Sequence, residues 1–279
     1  MNNLVIRDYA FEWGKRTYLM GILNVTPDSF SDGGEFNNIK GALCQAKSMI
    51  QGGVDIIDIG GQSTRPGAEE ISLEEELKRV IPIIKRLRQE SSIPISIDTT
   101  RATVAQAAVE AGADIINDIS GGSFDKKMLA TVASLEVPMI IMHIRGTPKN
   151  MQQQTDYDDL VGEIIQWLNH QIEQAIIAGI NHDKLIIDPG IGFAKNYQQN
   201  IELLRRLPEF KVLKCPLLVG VSRKSFIGHI LQEDDPKKRV WGTAAACCSA
   251  IAGNANILRV HDVPQMKEVI QVADAIWRK

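Results

Sequence analysis

Hydrophobic residues along the chain fall in short continuous runs rather than in strict alternation. VDIIDIG (54–60), VPMIIMH (137–143) and CPLLVGV (215–221) are apolar at consecutive positions, as parallel strands covered on both faces are. Eight such runs read as strands, at 18–24, 54–58, 94–98, 114–117, 138–143, 184–188, 216–221 and 255–260. Helical patterns lie between them. Ser72-Leu73-Glu74-Glu75 forms a capping box that opens a helix to about Gln89. A second helix over 105–111 stops at Gly112, and a third over 158–178 stops at Gly179. Asp262 is placed to cap the last helix, with Pro264 in its first turn.

Eight strand–helix units in one unbroken series predict an α/β fold, a single (β/α)8 TIM barrel spanning residues 1–279 as one domain. The residues before the first strand, 1–17, are expected to form a short β-hairpin across the barrel bottom. An open doubly wound sheet would carry a G-x-G-x-x-G turn after its first strand. Here that turn reads Asn24-Val25-Thr26-Pro27-Asp28.

Composition narrows the function classes. The 31 basic and 34 acidic residues leave a net charge of −3, which argues against a general nucleic-acid binder. The densest basic cluster, Lys237-Lys238-Arg239, follows Asp234 and Asp235 and reads as a solvated helix start. The run at 243–253 is apolar but too short to span a membrane, and no signal-peptide core is read at the N-terminus. Cys44, Cys215, Cys247 and Cys248 show no C-x-x-C spacing and sit in apolar segments. A reducing, cytoplasmic setting is expected.

The candidate chemistry stands at the strand ends, which in a barrel converge on one mouth. In order they are Asn24, Asp58, Asp98, Asn117, Met142-His143, Asp188, Ser222 to Ser225, and Arg259 with His261. Any one could merely cap the helix that follows. As a set they favour a shared site. Asp98, Asn117, Asp188 and Lys224 offer acceptors, an amide and a cation, a match for a planar N–C–N edge such as that of a pterin or purine. Arg65, Arg259, His261 and Asn24 suit a phosphate or diphosphate and a metal ion. Two Gly-rich stretches, TPDSFSDGG (26–34) and GGQSTRPG (60–67), read as lids over the mouth.

Eight strings in order over nearly the whole chain resemble dihydropteroate synthases. They are GILNVTPDSFSDGG (21–34), GGQSTRPGA (60–68), SIDTTRA (96–102), IINDISG (115–121), MHIRGTPKNMQ (142–152), DPGIGFAKN (188–196), VGVSRKSFIG (219–228) and RVHDV (259–263). The resemblance implies condensation of a dihydropterin diphosphate with 4-aminobenzoate to dihydropteroate and diphosphate. It makes Asn24 a ligand of Mg2+ on the diphosphate, an ion that takes oxygen donors. Asp98, Asn117, Asp188 and Lys224 would hold the pterin ring, with Met142 beneath it and Phe193 alongside. Arg259, His261 and Thr64 would clamp the diphosphate. Phe30, Asp32, Arg65, Pro66 and Ser225 would shape the 4-aminobenzoate pocket, Ser225 by opening a helix whose amides favour a carboxylate. Asp98, Lys224, Arg65 and Asp32 would act closest to the chemistry. The family also implies a homodimer through helices on the face away from the loops, and residues 240–253, rich in Ala and Cys, are expected to pack in that interface.

Two positions depart from the family pattern. Ile191 stands in DPGIGF where an aromatic is common, so a packing change is expected. Lys238 replaces a usual glutamate before Arg239, altering a local salt bridge. His143 is expected to be a structural histidine of the barrel rim, and His170, His182 and His229 surface residues. Asp58 is expected to order one of the loops. Trp167 and Trp241 read as core or interface. Two alternatives stay open: a pterin barrel passing a methyl group to a corrinoid protein, and a non-catalytic pterin-binding module.

Overall fold

The computed structural model describes residues 2–26, 34–65 and 67–278. Phe30, Asp32, Pro66 and most of the first glycine-rich lid lie outside the described residues.

The chain opens with an antiparallel hairpin, β1 (Leu4–Ile6) and β2 (Tyr9–Phe11), with Leu4 opposite Phe11. Eight parallel strands follow: β3 (Tyr18–Asn24), β4 (Ile56–Gly60), β5 (Ile95–Asp98), β6 (Ile115–Asp118), β7 (Met139–Met142), β8 (Leu185–Asp188), β9 (Leu218–Val219) and β10 (Ile257–Val260). They pair in chain order from β3 to β8, and β10 pairs with both β3 and β9. The remaining gap is bridged between Ile187 and Leu217, with the Ile187 amide donating to the Pro216 carbonyl at 2.9 Å. The circle is the expected (β/α)8 barrel.

The helices α1 (Gly34–Gln51), α2 (Leu73–Glu90), α3 (Ala102–Ala111), α4 (Met128–Leu135), α5 (Leu160–Ile177), α6 (Tyr197–Arg205), α7 (Ser225–Leu231), α8 (Val240–Ala252) and α9 (Val263–Trp277) surround it. Ser72 caps α2 by accepting from the Glu75 amide at 3.1 Å, and Gly112 ends α3 with a left-handed φ of 116°.

Strand parity sorts the core. Leu19, Ile57, Ile97, Ile116, Ile141, Ile187 and Leu258 face outward and pack with the helices. Tyr18, Met20, Ile56, Ile115, Ile140, Ile186, Leu218 and Ile257 face inward, and Leu4, Ile6 and Phe11 of the hairpin join them. The hairpin therefore closes the barrel bottom. Each such fully buried aliphatic side chain contributes roughly 1.5–3 kcal/mol.

Two elements differ from the sequence reading. The second barrel strand runs over Ile56–Gly60 rather than 54–58, because Asp55 is drawn to Arg16 (2.7 Å) and the Leu19 amide (2.8 Å) before the strand begins. Asp58 thus lies inside the barrel, not at a strand end. Asp262 precedes α9 but makes no side-chain cap; its carboxylate is held by Arg223 instead.

Candidate active site

One layer above the apolar plug the inward positions turn polar: Asp58, Ser96, Asp98, Asn117, Asp188 and Arg259. Arg259 ties this layer together. Its Nε donates to Asp58 Oδ2 and its Nη2 to Asp98 Oδ2, both at 2.6 Å. Asn117 Nδ2 donates to the same Asp58 oxygen at 3.2 Å. Asp58 is fully buried. Its Oδ1, and the Oγ of Ser96 facing it in register on β5, have no hydrogen-bond partner among the described residues. Buried polar atoms are costly unless paired, so the polar layer carries desolvated charge that the apolar layer below it does not.

The loop after β8 forms one wall. Asp188 Oδ1 accepts from the Gly190 amide at 2.7 Å. Gly190 has a φ of 72°, and a Cβ there would stand 2.0 Å from the His143 carbonyl oxygen, so only glycine fits. Gly192 and Phe193 continue the wall beneath Lys224, whose Nζ lies 4.3 Å from the Phe193 ring centroid, a cation–π arrangement. Opposite, Ser222 Oγ accepts from the His261 amide (3.1 Å) and lies 3.0 Å from its Nδ1. Between Ser222 and Lys224, Arg223 adopts a φ of 59°. Its amide donates to Thr243 Oγ1 at 3.0 Å, and its carbonyl accepts from Arg239 at 3.1 Å. These bonds fix the turn that aims Lys224 into the well.

Burial dominates the electrostatics. It raises Asp98 well above the usual carboxylate range, against the pull of Arg259 and with the push of Asp58. Burial also raises Asp188, opposed by the Gly190 amide and by Lys224, Arg259 and Lys195. It lowers Lys224 to about 8, with Asp188 opposing. His261 is lowered to about 3, by burial first and then by Arg223 and Arg259, with Arg65 adding to the repulsion. His261 is therefore neutral at physiological pH and acts as a hydrogen-bonding group, not a cation. At the mouth, a small recess is lined by Gln62, Thr64, Glu70, Asp98, Phe124 and Pro148 among others.

The architecture agrees with what known proteins show. The pterin-binding enzyme family matches residues 20–261. A dihydropteroate synthase of Synechocystis sp. is 63% identical over 275 residues, which is 99% of this chain and 95% of the relative. The chain belongs to the dihydropteroate synthase family. A Yersinia pestis dihydropteroate synthase solved with a sulfonamide drug superposes with a TM-score of 0.92 at 43% identity, covering 99% of this chain and 98% of that one. A Xanthomonas albilineans synthase solved with 4-aminobenzoic acid superposes with a TM-score of 0.92 at 41% identity, covering 98% and 97%. The chain is thus a transferase of folate synthesis, and the dihydropteroate synthase activity expected from the sequence is its activity.

Within that family frame, Asp98, Asn117, Asp188, Lys224 and Arg259 converge on one well. Met142, in register with Asp188, is buried with Ile119, Ile144, Met151 and Ala194, and Phe193 packs against that cluster. His261 and Thr64 stand at the rim, and Asn24 ends β3 half-buried at the same mouth. Arg65 is exposed on the second lid, and Ser225 is exposed at the start of α7, a helix of seven residues.

Arg259 differs from the simple division into pterin and diphosphate groups, because two carboxylates of the ring-binding layer already hold it. Among the described residues Asp58 partners Arg259 and Asn117. Sequence reasoning missed Asp118, whose buried carboxylate accepts from Ser120 and Gly122 and shapes the turn after β6. It also missed Glu76, which takes Thr99 Oγ1 and Arg101 at 2.7 Å each and braces the loop after Asp98.

Ile191 is buried in the outer core, so its departure from the family is a matter of packing. Arg239, next to Lys238, satisfies its guanidinium on the carbonyls of Arg223, Glu233 and Asp234.

Proposed function

We propose that the polar layer binds the dihydropterin diphosphate ring-first and that 4-aminobenzoate enters above it. The convergence of Asp58, Asp98, Asn117, Asp188 and Lys224 in a well closed at its base supports this reading most directly. Asp188, Asn117 and Asp98 match the donors and acceptors of the pterin edge, and a buried site of matched polar groups discriminates strongly against the wrong ring. Lys224 lies over Phe193 and faces the same ring. Arg259, His261 and Thr64 face the diphosphate, His261 through a neutral imidazole. Ser225 and Arg65, with Phe30, Asp32 and Pro66 by family resemblance, shape the 4-aminobenzoate side.

In the reaction the bond between the pterin methylene carbon and the diphosphate oxygen breaks and diphosphate leaves with the bonding pair. The neutral amine of 4-aminobenzoate forms the new C–N bond and releases one proton. Fixed donors aimed at the departing charge supply the protein's share of catalysis. Asp98, close beneath the ring, balances the positive charge that develops on the pterin. No protein nucleophile is required.

Magnesium fits as an ion carried on the diphosphate. Asn24 offers one amide oxygen at the mouth, which suits an ion that keeps waters and substrate oxygens as its other ligands. When bound, the ion neutralises charge on the leaving group. Among the described residues no cluster of three or more His, Cys, Asp or Glu could cage a metal unaided.

A homodimer is part of the same proposal. Helices α7 to α9 expose Ile230, Leu231, Trp241, Val272, Ile276 and Trp277, with Trp241 76% accessible, an apolar face suited to a second copy. Sedimentation should give a dimer; a monomer ends that part. A cytoplasmic setting accords with four unpaired cysteines, and among the described residues no helix is long and apolar enough to cross a membrane.

The test is a coupled assay with Mg2+, dihydropterin diphosphate and 4-aminobenzoate. Diphosphate and dihydropteroate should be released in equal amounts, a sulfonamide should block both, and EDTA should stop release until Mg2+ is restored. Pterin binding without diphosphate release overturns the reading in favour of a binding module.

A further inference from the structure

Lys195 is the most unusual charge in the molecule. Its side chain is 2% exposed, and among the described residues no carboxylate lies within ion-pair distance of its Nζ. Instead Nζ lies 3.1 Å from His143 Nδ1 and donates to the Phe193 carbonyl at 2.9 Å. In its ammonium form Lys195 donates to His143 Nδ1, and burial lowers that ammonium to about 7, against the pull of Asp188. His143 is itself 1% exposed and is lowered well below its ordinary range by burial, then by Lys195 and Arg145. A buried ammonium bonded only to neutral acceptors is expensive to keep, which leaves its purpose to be found in what it touches.

It touches the loop that carries the ring-binding groups. Within residues 188–195, Gly190, Gly192 and Ala194 all have positive φ, at 72°, 85° and 50°. Gly190, whose amide holds Asp188, has its Cβ direction 3.4 Å from Lys195 Nζ and 2.0 Å from the His143 carbonyl. Lys195 and His143 thus lie directly behind this strained wall, on the side away from the well. The ammonium bonds the Phe193 carbonyl and acts electrostatically on Asp188, favouring the ionised carboxylate.

We propose that Lys195, seated on His143, is a positioning residue for the synthase reaction: through the Phe193 carbonyl it pins the 188–195 loop that holds Asp188 in place for the pterin edge. This rests on the reading of Asp188 as a pterin contact.

The test compares Lys195→Met, His143→Leu, His143→Asn and Asp188→Ala in the full chain, reading KM for each substrate, kcat and thermal melting. Lys195→Met is expected to raise KM for dihydropterin diphosphate roughly tenfold to a hundredfold, the range for losing a bond to a charged group. KM for 4-aminobenzoate should change far less. Its melting temperature should hold or rise, because an apolar side chain of similar length replaces a buried charge. His143→Leu should behave alike, whereas His143→Asn should retain the wild-type value, since its amide oxygen can accept from Lys195 where Nδ1 did.

A lower melting temperature with unchanged pterin KM, or equal rises in both KM values, makes the pair merely structural and overturns the proposal. If Lys195→Met does not fold, the contrast between leucine and asparagine at 143 decides. If Asp188→Ala leaves pterin KM unmoved, the assignment of Asp188 fails; if it raises that KM and Lys195→Met does not, only the positioning role fails.

Discussion

Ile56 and Asp58 stand two residues apart on the same strand, point into the same barrel and are both removed from solvent, yet they belong to opposite regimes. Ile56 sits in the lower layer with Ile115, Ile140, Ile186, Leu218 and Ile257, sealed by the hairpin. Asp58 sits in the upper layer, bound to Arg259 and Asn117, with one oxygen unpaired among the described residues. The lower layer gains free energy by burying apolar area. The upper layer spends part of it on desolvated charge. A single rise of two residues along each strand separates the part that holds the barrel together from the part that works.

The comparison can be broken or sharpened by substitution. The largest effect is expected from Asp188→Ala and Lys224→Ala. Steady-state assay should show turnover lower by roughly 10³-fold or more, in the range seen when preorganised polar groups are removed, with circular dichroism and melting unchanged. Loss of the fold instead would put these residues in the structural layer. Next is Ile140→Ala, which should cost about 2–5 kcal/mol in urea unfolding while the folded enzyme keeps its kcat/KM; a fall in kcat/KM would merge the two layers.

Arg65→Ala should raise KM for 4-aminobenzoate roughly tenfold, about one charge-assisted hydrogen bond, and that for the pterin less; equal rises would remove the division of the mouth into two sides. The last effect concerns acid. His261 in the folded chain holds its proton only below about 3, whereas an unfolded histidine takes one up near 6.5. As pH falls from 6.5 towards 3 the unfolded chain binds the proton first, so stability is lost, by up to about 1.4 kcal/mol for each pH unit. His261→Gln should flatten that slope in urea midpoints measured between pH 7 and 4; an unchanged slope would assign acid lability to other groups.

Much of this was legible from the chain. Apolar runs such as VPMIIMH announced strands buried on both sides, and the polar residues closing them, Asp98, Asn117 and Asp188, landed in the well because their parity matches that of the inward isoleucines. Asp58 was misplaced because VDIIDIG holds two aspartates and periodicity cannot say which one precedes the strand; the decision lies with Arg16, which claims Asp55 from 39 residues away. Asp262 looked like a cap because local spacing cannot show that Arg223, 39 residues earlier, takes its carboxylate. Lys195 gave no local sign, since its partner His143 is 52 residues distant. Local chemistry is written in the sequence; long-range pairing of charges has to be seen.

The hairpin plug has a consequence for traffic. With Leu4, Ile6 and Phe11 packed against the lower isoleucines, the well is a blind alley, and whatever comes to rest on its floor must return past whatever sits at its entrance. With the two substrates stacked as proposed, the pterin arrives first, and 4-aminobenzoate above it holds it in place. An occupant of the entrance alone therefore becomes a stopper, trapping the molecule beneath it.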